Sequence, residues 1–164
     1  MSQSTTAQSS PEWDGAAATE LARTKVQTYL LRESEISIDQ RNRIAVDRGS
    51  TRLWIEFFPQ PEKRVVYLTL TCAVAYYVPV TPELFEYLAR NVDKYYFGHL
   101  AMSPYGDDSE HKGKAYIYFT DTLIADFLDP QELTIPVFAM LSSADALDDE
   151  VIEKLGGERY REKS

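Results

Sequence analysis

The stretch from Val65 to Pro82 holds no charged residue, and this run constrains the fold more than any other feature of the sequence. Two structures accommodate it: a membrane-spanning helix, or a long strand buried on at least one face. Thr69, Thr71, Pro79 and Thr81 interrupt the apolar character, and the rest is β-branched and aromatic, which selects the strand. From Arg64 to Val78 the residues alternate, with Val66, Leu68, Leu70, Cys72, Val74, Tyr76 and Val78 on one side. Strands usually span about 3–10 residues. A bulge or strong coil is therefore expected near the middle of this one.

The segments around it alternate too. Arg43 to Asp47 and Arg52 to Phe58 read as strands, joined by the tight turn Arg48-Gly49-Ser50. Ser37 to Asn42 reads as a polar connection. His99 to Ser103 and Lys114 to Thr120 read as two further strands. A helix is predicted from Trp13 to about Glu33, where Ala18, Ala22, Val26, Tyr29 and Leu30 share a face. Thr81-Pro82-Glu83 starts a second helix, with a hydroxyl cap and proline where a missing N–H costs nothing. Asp129-Pro130-Gln131-Glu132 starts a third, which Gly156-Gly157 stops. Pro136 removes an amide inside that helix and is expected to kink or delay it. The expected fold is α+β: an antiparallel five-stranded sheet in the order α-β-β-β-α-β-β-α, covered by helices. The chain has 164 residues, enough for one domain. That domain is expected over 13–158, between a disordered tail at 1–12 and a frayed tail at 159–164.

Alternation sorts the sheet into two faces. One collects Ile44, Val46, Leu53, Ile55, Phe57, Val66, Leu68, Leu70, Val74, Leu100, Met102, Ile117 and Phe119, an ordinary aliphatic core. The other mixes rings, small residues and hydroxyls: Trp54, Phe58, Tyr67, Tyr77, Tyr116 and Tyr118 among Thr69, Thr71, Ala73, Ala75, His99 and Ala101, with Arg52 and Glu56. Tyr and Trp combine apolar area with a polar handle and are enriched at interfaces. Two readings stand side by side. Either this face receives a partner, or it is covered by a helix or stabilised in solvent by Tyr–Thr pairs.

The formal net charge of −9 argues against a nucleic-acid binder, which needs a basic patch, and against an anionic membrane surface. The third helix carries six acids, Glu132, Asp145, Asp148, Asp149, Glu150 and Glu153, against Lys154. That run reads as a solvated face, with docking of a basic partner as the alternative. One cysteine, Cys72, excludes an intrachain disulfide and suits a reducing, cytoplasmic compartment. The start of the chain lacks the basic and apolar stretches of a signal peptide. Cys72 falls on the core face and reads as an inert buried thiol. His99 has no orienting carboxylate or nucleophile placed beside it, and reads as structural. Asp107-Asp108-Ser109-Glu110-His111 has donor atoms without EF-hand or zinc spacing, so a solvated hairpin is expected and no metal. No phosphate loop or nucleophile elbow occurs, and no cofactor or catalytic residue is assigned.

The order of segments, together with Thr81-Pro82-Glu83-Leu84-Phe85-Glu86-Tyr87-Leu88-Ala89-Arg90-Asn91, Phe97-Gly98-His99-Leu100, Leu128-Asp129-Pro130-Gln131-Glu132-Leu133 and Ala144-Asp145-Ala146-Leu147-Asp148-Asp149-Glu150 before Gly156-Gly157, resembles the type III secretion chaperone-like group, in particular its YbjN-like branch. The resemblance spans roughly 13–157. It implies a small acidic domain, commonly a homodimer, that binds peptide segments of other proteins and catalyses nothing. Pro136 departs from that pattern. The expected function is a peptide- or protein-binding module acting through Trp54, Phe58, Tyr67, Tyr77, Tyr116 and Tyr118. One alternative is a self-associating regulatory domain whose dimer interface is the same face. The other is an enzyme using Asp121 and Asp126 after the fifth strand.

Overall fold

The computed structural model describes residues 13–161. Both the segment 1–12, expected to be disordered, and residues 162–164 lie outside the described residues. The chain is mixed α+β, and its sheet is antiparallel throughout. The elements run α1 (Gly15–Leu30), β1 (Ser37–Ile38), β2 (Ile44–Arg48), β3 (Thr51–Gln60), β4 (Val65–Pro79), α2 (Pro82–Asn91), β5 (His99–Pro104), β6 (Lys114–Ile124) and α3 (Pro130–Leu155). The sheet has six strands in the order β1-β2-β3-β4-β6-β5, rather than the expected five. The additional strand is β1, two residues within the segment read as a polar connection, paired as Ser37↔Ala45 and Ile38↔Ile44. Two residues are too few to show an alternation.

The uncharged run is β4, the central strand, paired with β3 on one side and β6 on the other. Its fifteen residues keep register with β6 only by two irregularities, between Ala73 and Ala75 and between Ala75 and Val78. Ala73 faces Tyr118 and Ala75 faces Ile117, so β4 carries one extra residue there. Val78 faces Ala115, which adds a second. Each extra residue reverses which side the following residues occupy. Val74 and Ala75 therefore both join the core, Tyr76 moves to the opposite face, and Val78 returns to the core. Tyr77 is left between these positions with a positive φ of 56°. The alternation had placed Tyr76 inward and both Ala75 and Tyr77 on the aromatic face.

Helices α2 and α3 start where their caps predict, and α1 starts at Gly15 rather than Trp13. Asp14 accepts from the amides of Ala16 and Ala17, and Thr81 accepts from Leu84. Asp129 and Glu132 form a reciprocal capping box with Pro130 at the first position. The expected delay at Pro136 does not occur: α3 begins at Pro130 and runs unbroken to Leu155, with Pro136 buried. All three helices contribute to one core, on the aliphatic face of the sheet. The side chains of Leu68, Leu70, Ile117, Phe119, Leu133, Met140 and Leu141 are fully buried there.

Cys72 belongs to this core, with the Thr51 hydroxyl 3.5 Å from its sulfur. Burial pushes its thiol up to about 12, against a smaller opposing effect of Thr51. A thiol reagent at pH 8 is expected to label no cysteine in the folded protein and one per chain in urea. Rapid labelling without denaturant would show the core to be open at β4.

Candidate functional site

No described helix covers the second face of the sheet. Ala45, Trp54 and Ala73 are buried on it, and Tyr76, Tyr116 and Tyr160 pack around them. The rings form an ordered array. Tyr116 is stacked between Tyr76 and Tyr118, with centroids 4.6 and 5.0 Å away. Tyr160 meets Trp54 edge-on at 5.4 Å. Burial raises the phenol of Tyr116 far above its ordinary range, and the neighbouring Tyr76 adds to the effect. Burial likewise pushes Tyr76 up to about 12. These phenols stay neutral at physiological pH. The Tyr116 hydroxyl is buried beside Tyr76.

Tyr160 comes from the segment expected to be frayed. Among its described residues, that segment is a strap folded back over the sheet. The Glu158 and Tyr76 backbones exchange hydrogen bonds of 2.8 Å each way. The Arg161 amide donates to the Ser50 carbonyl at 3.1 Å, and its guanidinium lies 3.2 Å from Asp47. Arg159 pairs with Asp149 and lies 3.7 Å from Asp148. Gly157 permits the reversal: its φ is +103°, and a Cβ there would lie 2.6 Å from the Tyr76 carbonyl oxygen.

The acids of α3 that reach this region are not a solvated face. Asp145 accepts from the Ser50 amide and contacts its hydroxyl, each at 2.9 Å. Buried Asp148 also contacts that hydroxyl. Both carboxylates thus fasten the β2–β3 turn to α3, beside the anchor of the strap.

Between the strap, the loop before β2 and the ends of β5 and β6 lies a groove of about 850 Å³. Asp39 builds its rim by accepting from the amides of Arg41 and Arg43, both at 2.9 Å. It also pairs with the Arg43 guanidinium at 2.7 Å. The Arg43 guanidinium lies 4.9 Å over the Trp54 ring, and that of Arg52 lies 5.5 Å over Tyr160. Asp47 holds Arg52 through two contacts of 2.6 and 2.7 Å. This bond to Arg52 holds the Asp47 carboxyl below the usual carboxylate range, although partial burial opposes it.

The six residues predicted to bind a partner do not form one surface. Trp54 and Tyr116 line the groove, and Tyr118 stacks on Tyr116 without lining it. Phe58 and Tyr67 are cross-strand partners at the other end of the sheet. Phe58 lies four positions from Trp54, a distance of about 13 Å along the strand. The polar row Glu56–Thr69–Thr122 lies between. The extra residue in β4 turns Tyr77 away, onto Tyr105 and His111 at 5.4 and 3.9 Å. Tyr76, Tyr160, Arg41 and Arg43 were not anticipated. Gly156-Gly157 followed by a lone aromatic in a charged tail was the one available signal for Tyr160.

The alternative carboxylates serve the backbone. Asp121 accepts from the amides of Gly98 and Thr122 at 3.1 and 2.8 Å, and Asp126 from Val66 at 2.8 Å. Neither lines the groove. Among the described residues, no three His, Cys, Asp or Glu side chains gather in a metal-binding arrangement. No described helix is long and apolar enough to cross a membrane. No protein-family model matches the chain, and no curated protein matches it.

Gly157→Ala is expected to detach the strap, at a cost of about 1–3 kcal/mol. In a Trp13→Phe background the emission of Trp54 should shift to the red while the sheet stays folded. An unchanged spectrum and melting temperature would show that the strap does not hold Trp54. Acid should loosen the same contact. The Asp47 carboxyl is held low in the folded chain, so its ion pairs are intact above about pH 4 and are lost as the pH falls through the folded value. Trp54 emission should therefore change on acidification before global unfolding, and Asp47→Asn should abolish that early change.

Proposed function

We propose that this protein is a non-catalytic peptide- or protein-binding module, of the kind the YbjN-like resemblance implies, and that the groove beside Trp54 is where a peptide lies. The observation that carries this reading is the strap. An extended segment with an aromatic side chain already pairs with β4 at Tyr76 and lays its ring against Trp54. This intramolecular bridge supports recognition by strand addition, in which backbone bonds give affinity and side-chain seats give selectivity. The groove continues past the strap along Tyr76 and Tyr116, leaving room for a second segment.

A homodimer and a cytoplasmic setting belong to the same proposal. Phe97, Leu123, Ile135 and Pro136 line a separate, largely apolar hollow, and Ile135 is exposed. Pairing of two copies there would leave the groove open.

Selection from a random-peptide display library against the immobilised protein tests the reading. Enriched sequences should bind in solution and lose at least about tenfold in affinity with Tyr76→Ala and Tyr116→Ala. Circular dichroism confirms that the variants are folded. Failure to enrich any sequence over the bare surface, with or without the strap-releasing Gly157→Ala change, would sink the proposal.

A further inference from the structure

The groove is charged opposite to the molecule. The chain carries a formal net charge of −9, yet the charged residues lining the groove are Arg41, Arg43 and Arg52 against Asp39 alone. Arg41 is exposed and makes no ion pair with any described residue. Arg43 and Arg52 each spend one edge of the guanidinium on one carboxylate. A guanidinium has five N–H donors, so each keeps donors for an incoming acceptor. Both also lie over aromatic rings, which holds their planes in place before any partner arrives.

From this juxtaposition we infer that the groove selects an acidic, extended peptide segment carrying an aromatic residue. Its ring would seat against Tyr76 and Tyr116, and its carboxylates would pair with Arg41 and Arg43. The inference rests on the peptide-binding reading and adds the chemistry of the partner. Charge complementarity favours this occupant over the alternatives. A second copy docking symmetrically at the groove would bring two patches of net positive charge together. A nucleic-acid strand would meet three arginines on a molecule whose overall field repels it.

The test uses the intact chain and four dye-labelled probes read by fluorescence anisotropy. One is a ten-residue peptide of Asp, Ser and Tyr. The second has Lys in place of Asp, the third has Ser in place of Asp, and the fourth is oligothymidylate. The acidic peptide should bind at least about tenfold more tightly than the lysine peptide. The difference should shrink with added salt, which screens exposed charges. Arg41→Glu should reduce or reverse the preference without altering the melting temperature.

Equal binding of the three peptides would overturn the inference while leaving the peptide-binding function standing. So would a set of basic or neutral sequences from the display selection. If no peptide binds, whether probe or display-selected, both fail together. Preferential binding of oligothymidylate, or a concentration-dependent dimer that buries Trp54, would replace the acidic peptide as occupant.

Discussion

The pairing of β4 with β3 and β6 is the constraint on which the rest of the structure depends. A strand of this length cannot stay flat against two neighbours and also close over a compact helical layer. The two extra residues between Ala73 and Val78 relieve the mismatch by local bending. They also redistribute side chains. Before them, β4 supplies Leu68, Leu70 and Cys72 to the core in strict alternation; between them, Tyr76 stands on the outer face with its backbone paired to Glu158, and after them Val78 returns to the core. The groove, the strap and the aromatic stack all follow from that local change of parity.

The outer face is also where local and long-range interactions meet. Ser50 sits at the β2–β3 turn, yet its partners lie in α3 and in the strap. The close packing is visible at Gly49, where a Cβ would overlap the Asp145 carboxylate. Buried carboxylates require such hydrogen bonds, since an unpaired charge away from water is strongly unfavourable. The acids of α3 thus act partly as fasteners between distant elements.

Much of the fold was legible in the residues. The alternation in β2, β3 and β6 marked the core face, and capping residues marked the starts of α2 and α3. The uncharged run announced both the central strand and its irregularity. What was not legible has a common cause. A bulge is set by the fit of one strand to another, so its consequences for Ala75, Tyr76 and Tyr77 do not appear in the sequence of β4 alone. The two-residue β1 is similarly defined by its partner. Tyr160 and Arg161 sit in a charged segment whose composition reads as solvated, and their order comes from Asp47, Ser50 and Trp54. Of the predicted face, Trp54 and Tyr116 line the groove, and Tyr118 stacks on Tyr116. Phe58 and Tyr67 were grouped with it because alternation gives the side of a sheet but not the position along it.

The strap has a kinetic meaning as well as a structural one. Tyr160 is tethered to the end of α3 by the few residues from Gly156 to Arg159. Its local concentration at Trp54 is therefore on the order of millimolar, independent of how much protein is present. Any molecule that needs the same seat competes against a rival that never diffuses away. The occupancy of Trp54 thus carries a built-in threshold, set by the length of the tether and by the contacts of Arg159 and Arg161.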